Sequence, residues 1–232
     1  MKARLIVSIM VMIAGVMLVV TFGCGQMGAP GGAQAEPPGK EIALPPPVTS
    51  GGMSLAEAIS KRRSVREFKP EPLSLAQISQ LLWAGQGITE PASGRRAAPS
   101  AGAKYPLELY LLSKDGVFHY VPQGHKLIQL GDKDRREDLS NAALGQTSVA
   151  QAPLDIVITG VFARTEEKYG ERARQYVFME AGHVAENIVL QGVALGLGSV
   201  TAGAFRDPAV SDVLELPADQ TPIYIIPVGK AA

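Results

Sequence analysis

The chain has 232 residues with 22 basic and 22 acidic side chains. It is long enough for one domain with a real core, and its balanced charge argues against nucleic acid or a polyanionic partner. A single cysteine excludes an internal disulfide framework and any multi-cysteine metal site, and His119, His125 and His183 show no metal-ligand spacing.

Lys2 and Arg4 precede an uncharged run from Leu5 to Phe22, and Cys24 follows Gly23. A basic start, an apolar stretch and a small residue before the break describe an export signal over residues 1–24. Thr21-Phe22-Gly23-Cys24 resembles a bacterial lipobox, with Cys24 as the lipidated residue, although Thr21 and Phe22 replace the usual leucine and small residue. The run is also long enough for an uncleaved membrane anchor. Both readings place the rest of the chain in the cell envelope, exported and membrane-anchored, and the lipoprotein is the favoured one. No twin arginine is present, so export of an unfolded chain is expected. Residues 25–52 are rich in Gly, Pro and Ala without periodicity and read as a tether, and the folded domain is expected over 53–232.

Ser54 and Glu57 form a capping-box pair that starts a short helix, which runs into Arg62-Arg63-Ser64-Val65-Arg66-Glu67-Phe68. Cations at a helix C-terminus complement its dipole, which is the plain reading of these arginines. Ser74 and Gln77 repeat the cap. Leu75, Ile78, Leu81 and Leu82 make one apolar stripe ending at Gly85 or Gly87. After a Gly/Pro/Arg-rich loop, Pro99-Ser100-Ala101-Gly102-Ala103 leaves the backbone almost bare, and Lys104 and Tyr105 follow as the first groups able to act on protons or charge. Leu107 to Leu112 and Val117 to Val121 flank Lys114-Asp115-Gly116 as a hairpin. Helices are expected over Asp134 to Leu144 and near Val149, and a buried strand over Leu154 to Phe162. A long apolar helix is expected from about Arg172 to Leu197, then an extended piece from Ser199 to Phe205. Asp207-Pro208 opens a short helix to Leu214, and Thr221 to Val228 forms a last strand. This alternation predicts an α+β domain: a central mixed sheet flanked by helices, one of them long and buried.

Three separated pieces carry a resemblance. Arg62 to Phe68 resembles the Arg-x-Ser-x-Arg-x-Phe signature of nitroreductase-fold flavoenzymes. Pro99 to Ala103 followed by Tyr105-Pro106-Leu107-Glu108 is similar to the SagB-type dehydrogenase branch. Gly182-His183-Val184-Ala185-Glu186-Asn187, with Leu195-Gly196-Leu197-Gly198-Ser199, is similar to the family's central helix and following turn. The resemblance covers Ser54 to Gly229 and implies an FMN-dependent homodimer with flavin at the subunit interface. It implies that Arg62, Arg63, Ser64 and Arg66 bind the cofactor's phosphate and ribityl chain, for which fixed guanidinium donors suit a dianion. Pro99, Ser100, Ala101 and Gly102 would line the flavin edge. Main-chain donors around Gly203 and Ala204 would face its N5 and O4; a plain turn at Gly203 is the alternative. Ala103 stands where classical nitroreductases have Asn, which favours the SagB-type branch, and Lys230 alone could replace a basic C-terminal tail.

Lys104 and Tyr105 match a pair linked to proton removal in azoline-oxidising relatives, against which stands a surface lysine beside a tyrosine packed under the loop. His183 reads as a packed, hydrogen-bonded helix residue and Trp83 as core. Arg95 and Arg96 are either solvated loop charges or a substrate clamp. The implied activity is an oxidoreductase moving hydride through flavin N5 on a small-molecule or peptide-derived substrate. The alternative is a non-catalytic envelope lipoprotein that keeps the fold as a binding module.

Overall fold

The chain is seen in a computed structural model that describes residues 39–232. The export signal, Cys24 and most of the tether expected from sequence lie outside the described residues. In order, the elements are β1 (Glu41–Ala43), α1 (Leu55–Lys61), α2 (Leu75–Gln86), β2 (Ile88–Glu90), β3 (Arg95–Arg96), β4 (Leu107–Ser113), β5 (Gly116–Val121) and β6 (Lys126–Gly131). They continue with α3 (Arg136–Ala142), α4 (Thr147–Gln151), β7 (Leu154–Gly160), α5 (Ala163–Tyr169), α6 (Ala173–Ala194), β8 (Gly198–Ser199), α7 (Asp207–Leu214) and β9 (Thr221–Gly229).

Seven strands form one sheet in the order β1-β6-β5-β4-β7-β9-β8. Alternation along the central strands divides the core in two. Leu107, Leu109 and Leu111 of β4, with Leu154, Ile156 and Ile158 of β7, face α2 and α6. Tyr110, Leu112 and Val157 point the other way, towards α3, α4 and α7. With helices on both faces, β7 is buried at all seven positions, which is why its sequence is a nearly continuous apolar run. The helix α6 turns Val177, Ala181, Val184, Ala185, Ile188 and Val189 to the sheet at helical spacing. Each of its fully buried Val and Ile side chains contributes about 1.5–3 kcal/mol as an upper bound. Its other side is part polar and part open, with Phe178 and Met179 exposed.

The α+β class, the hairpin and the long helix agree with the sequence, and three details differ. Every strand pairing in the seven-stranded sheet is antiparallel, and among the described residues parallel pairing is confined to a bridge between Ser64 and Ser199. The mixed sheet expected from strand–helix alternation does not form because the chain crosses back through β8 and α7 before β9 begins. Secondly, folded structure starts before residue 53. Glu41 to Ala43 pair with β6, Leu44 is buried, and Gln80 hydrogen-bonds both backbone groups of Val48. The Ile42/Leu44 alternation is too short to stand out from its proline-rich surroundings, and its partner β6 was not expected either. Thirdly, α5 fills the segment between β7 and α6.

The N-terminal strap is tied by a defined hydrogen-bond chain. The Ser79 hydroxyl donates to the Pro45 carbonyl (2.6 Å) and lies 2.6 Å from His125 Nε2. Its one proton being committed, the imidazole carries its hydrogen on Nε2 and accepts from the Tyr120 hydroxyl at Nδ1 (2.8 Å). Burial pushes the His125 pKa down, which favours this neutral form. Among the described residues no helix is long and apolar enough to cross a membrane.

Candidate functional site

Helix α1 is capped by the Ser54 side chain, which accepts from the Glu57 N–H, and it ends at Arg62, where the backbone turns extended. From there the chain runs along the sheet edge. The Val65 N–H donates to Ser199 O (2.9 Å), and Phe68, buried, pairs with Ala231. Gly198 makes this approach feasible, since a Cβ there would lie 2.7 Å from Val65 Cβ. With the backbone docked, Arg62 and Arg66 have no carboxylate partner among the described residues. Arg63 instead donates to the carbonyls of Ser60 and Arg62, the helix-end role that dipole complementation predicts. Lys230 sits beside this segment, and its amine is 3.0 Å from Glu71, whose pKa that contact lowers. It is therefore a neutralised cation, unlike its two arginine neighbours.

Downstream, Ala202 pairs with Ile225 of β9 while Thr201, Gly203 and Ala204 stay exposed. A Cβ on Gly203 would make only ordinary contact with Tyr224 (3.7 Å), and its φ is not left-handed. The fold itself does not call for glycine here. The N–H groups of Gly203 and Ala204 have no acceptor among the described residues. Ser64, Arg62, Arg66 and Gly203 thus share one edge of the sheet, with free cations at one end and bare backbone donors at the other.

The small-residue loop lies elsewhere. Ala101–Ala103 form a single 3-10 turn in which Gly102 (φ 60°) and Ala103 (φ 54°) are left-handed, and Tyr105 follows at φ 46°. Two non-glycine residues in this region store on the order of 1–2 kcal/mol each. The Ala101 N–H donates to Glu180 Oε1 (2.8 Å), and the Tyr105 N–H donates to Ser100 Oγ (2.8 Å). The Arg164 guanidinium donates to the Tyr105 carbonyl (3.1 Å). Pro99, Ser100 and Ala101 face Tyr176, Met179, Glu180 and His183 of α6 across a cavity of about 270 Å³. Glu180 is 5% exposed, and burial raises its pKa against the opposing hydrogen bond from Ala101.

Several side chains fall otherwise than expected. His183 is exposed at the cavity mouth rather than packed in the core. Its neighbours Val184 and Ala185 take the buried positions, so the helix turns it outward. Trp83 is only half-buried and lines a groove with Leu55, Ala58 and Ala194. Lys104 donates to Glu167 of α5 (2.6 Å), and Tyr105 lies under the loop, with its hydroxyl accepting from the Arg96 N–H (3.2 Å). The Arg96 guanidinium stacks 4.6 Å from the Tyr105 ring and donates to Gln86 (2.8 Å). It is a structural arginine, whereas Arg95 pairs on the surface with Glu90. Glu180 escaped sequence reading altogether. Its one signal is a lone carboxylate in line with Val177, Ala181 and Val184 on the buried face.

The largest cavity, about 560 Å³, is not near these groups. It lies between β6, α3 and α7, where Arg135 already pairs with Asp138 and Glu215.

The chain matches the Nitroreductase family over residues 59–230. It belongs to the nitroreductase family. A Methanocaldococcus jannaschii protein named as a nitroreductase is 39% identical over 184 residues, covering 77% of this chain and 91% of that one. A nitroreductase-named crystal structure from Ralstonia eutropha superposes with a TM-score of 0.76 at 32% identity, covering 84% of this chain and 93% of that one. The microcin B17-processing protein McbC of Escherichia coli is a more distant relative, 27% identical over 155 residues, covering 62% of this chain and 57% of that protein. Nitroreductase-family proteins are flavin-type oxidoreductases, and the free arginines, exposed Gly203 and cavity-lining loop of this chain fit such a group.

Proposed function

We propose that this chain is an FMN-dependent oxidoreductase of the SagB type that works as a homodimer. In each site the arginine edge of one copy meets the Pro99–Gly102 cavity of the other. The observation that carries this reading is a separation. The cavity is built on the first half of α6 around Glu180, whereas Ser64 bridges to Ser199 just beyond its last residue, Ala194. Fourteen helical residues span ~21 Å, too far for one ring to touch both groups in a single copy.

Bound there, FMN supplies two-electron redox chemistry through its ring system. The chain's own part is to bind and orient. Arg62 and Arg66 offer paired guanidinium donors to the phosphate, and Ser64 a hydroxyl between them. The N–H groups of Gly203 and Ala204 stand ready to stabilise negative charge on the reduced ring. Pro99, Met179 and Tyr176 exclude water from the cavity side. Lys104 is assigned a proton-handling role only if it leaves Glu167 on substrate binding. A small-molecule or peptide-derived substrate fits, and the relative named for processing microcin B17 supports the second. The reading of residues 1–24 places the enzyme in the envelope with lipid on Cys24; labelled palmitate should enter wild type and not Cys24→Ala.

To test the central claim, FMN is added to the purified full-length chain, which is then desalted and sized. Retained yellow colour that bleaches with a reductant, on a species of twice the chain mass, is the expected result. A colourless monomer would instead favour the non-catalytic binding module.

A further inference from the structure

The loop from Pro99 to Tyr105 is held more firmly than its length requires. Three of its residues, Gly102, Ala103 and Tyr105, take left-handed backbone conformations, and only one is glycine. Such a shape persists only where its surroundings over-determine it. The tethers differ in where they pull. Lys104 to Glu167 and Arg164 to Tyr105 are exposed contacts with α5. The Tyr105 hydroxyl and ring are held by Arg96 on the side of β3. Among these tethers, the contact from Glu180 to the Ala101 N–H alone comes from α6, rests on a buried residue, and lies on the wall of the cavity.

We propose that Glu180 is a positioning residue whose carboxyl fixes the Pro99–Ala103 turn in the shape that a bound ligand meets. A carboxyl oxygen accepting the Ala101 N–H sets that peptide plane, and the plane sets the directions of the Ser100 carbonyl and of Gly102. Gly102 sits in this turn at φ 60°, a conformation that a side chain would strain. Without Glu180 the part-buried N–H of Ala101 loses its acceptor, and the strained turn loses its tie to the rigid helix. The tie itself stands on the geometry; the identity of the ligand rests on the flavin reading of this site.

The test compares wild type, Glu180→Ala and Glu180→Gln in the full-length chain, with FMN as the probe. Glutamine keeps an acceptor oxygen where alanine does not. E180A is expected to weaken FMN binding by about tenfold or more and to shift the visible band of bound flavin, with E180Q restoring both. Binding and spectrum unchanged in E180A, or no rescue by E180Q, would overturn the proposal. If wild type itself fails to retain FMN, the flavin reading falls and a second readout decides. Amide exchange at Ala101 in the ligand-free protein should be accelerated ~100-fold in E180A and stay near wild type in E180Q. Unaltered exchange in E180A would overturn the proposal. Should E180A not fold, Glu180→Met, which fills the space without an acceptor, takes its place.

Discussion

The two ends of α6 present ligand-facing groups by opposite means. At the arginine end the backbone is docked into the sheet edge, and Arg62 and Arg66 are left without counter-charges among the described residues. At the cavity end the backbone itself is strained, and nearly every polar group is already engaged. Affinity should therefore come mostly from side-chain charge at the first end and from preformed main-chain shape at the second. Removing both arginines breaks this comparison most directly. Arg62→Ala/Arg66→Ala should weaken FMN binding ~100-fold or more at low salt, since hydrogen bonds to charged groups are worth about 1.5–3 kcal/mol each. The same variant should keep wild-type stability within about 0.5 kcal/mol, because neither side chain has an internal partner. Fluorescence titration of FMN and urea unfolding measure the two quantities. A large loss of stability would mean that the arginines serve the fold.

Two glycines sharpen the contrast within the arginine end. Gly198→Ala places a Cβ 2.7 Å from Val65 and forces the docked segment off the sheet. It should destabilise the protein by about 1–3 kcal/mol. Gly203→Val places its Cβ in ordinary contact with Tyr224 and should leave the unfolding midpoint unchanged, yet it covers the exposed backbone donors and should abolish colour retention. Equal stability losses at both positions would erase the distinction between a glycine kept for packing and one kept for a ligand.

How far these differences were legible in the sequence depends on the distance between the residues that cause them. The capping box at Ser74 and the β4–β5 hairpin are local patterns and stand as read, whereas the Glu57 carboxylate pairs with Lys61 instead of closing a box at Ser54, and Leu75 at the head of the stripe is exposed. The long helix was also legible, but the direction each of its residues faces was not. Calling His183 packed and missing Glu180 are the same error, since the helix's rotation against β4 and β7 is fixed by side chains outside the helix itself. The motif around Arg62 indicated which residues could grip a phosphate. It could not show that Lys230 would be neutralised by Glu71, a partner 159 positions away. The strand β1 was hidden for the same reason, because its pairing energy resides in β6.

A control on the opposite face of the sheet shows whether stability and site can be varied separately. Asp155 of β7 is fully buried, and neither of its carboxylate oxygens finds a hydrogen-bond partner among the described residues. Burial raises its pKa well above the ordinary carboxylate range, against a weaker pull from Arg136. The unfolded chain ionises this group near its ordinary value of about 3.9, so the protonated folded form is fully favoured below that pH. The advantage is lost as pH rises towards the folded value. Asp155→Asn should therefore be more stable than wild type at neutral pH and should flatten the pH dependence measured by urea unfolding. FMN affinity should not change. A steeper profile in D155N would show that the carboxylate has a partner in solution.

Lys104 carries the smallest expected effect and separates the two accounts of the loop. Its ion pair with Glu167 is at the surface, where screening leaves such pairs little net worth. Lys104→Ala should leave the unfolding midpoint and FMN affinity as they are, in contrast to loss of the Glu180 tie. What remains is the chemical step. If Lys104 moves a proton once substrate displaces it from Glu167, K104A should slow a half-reaction while binding stays intact. Glu167→Gln, which frees the amine, should leave that rate unchanged or raise it. Identical half-reaction rates in wild type and K104A would reduce Lys104 to one more exposed tether, with the shape of the cavity left to Glu180 and Arg96.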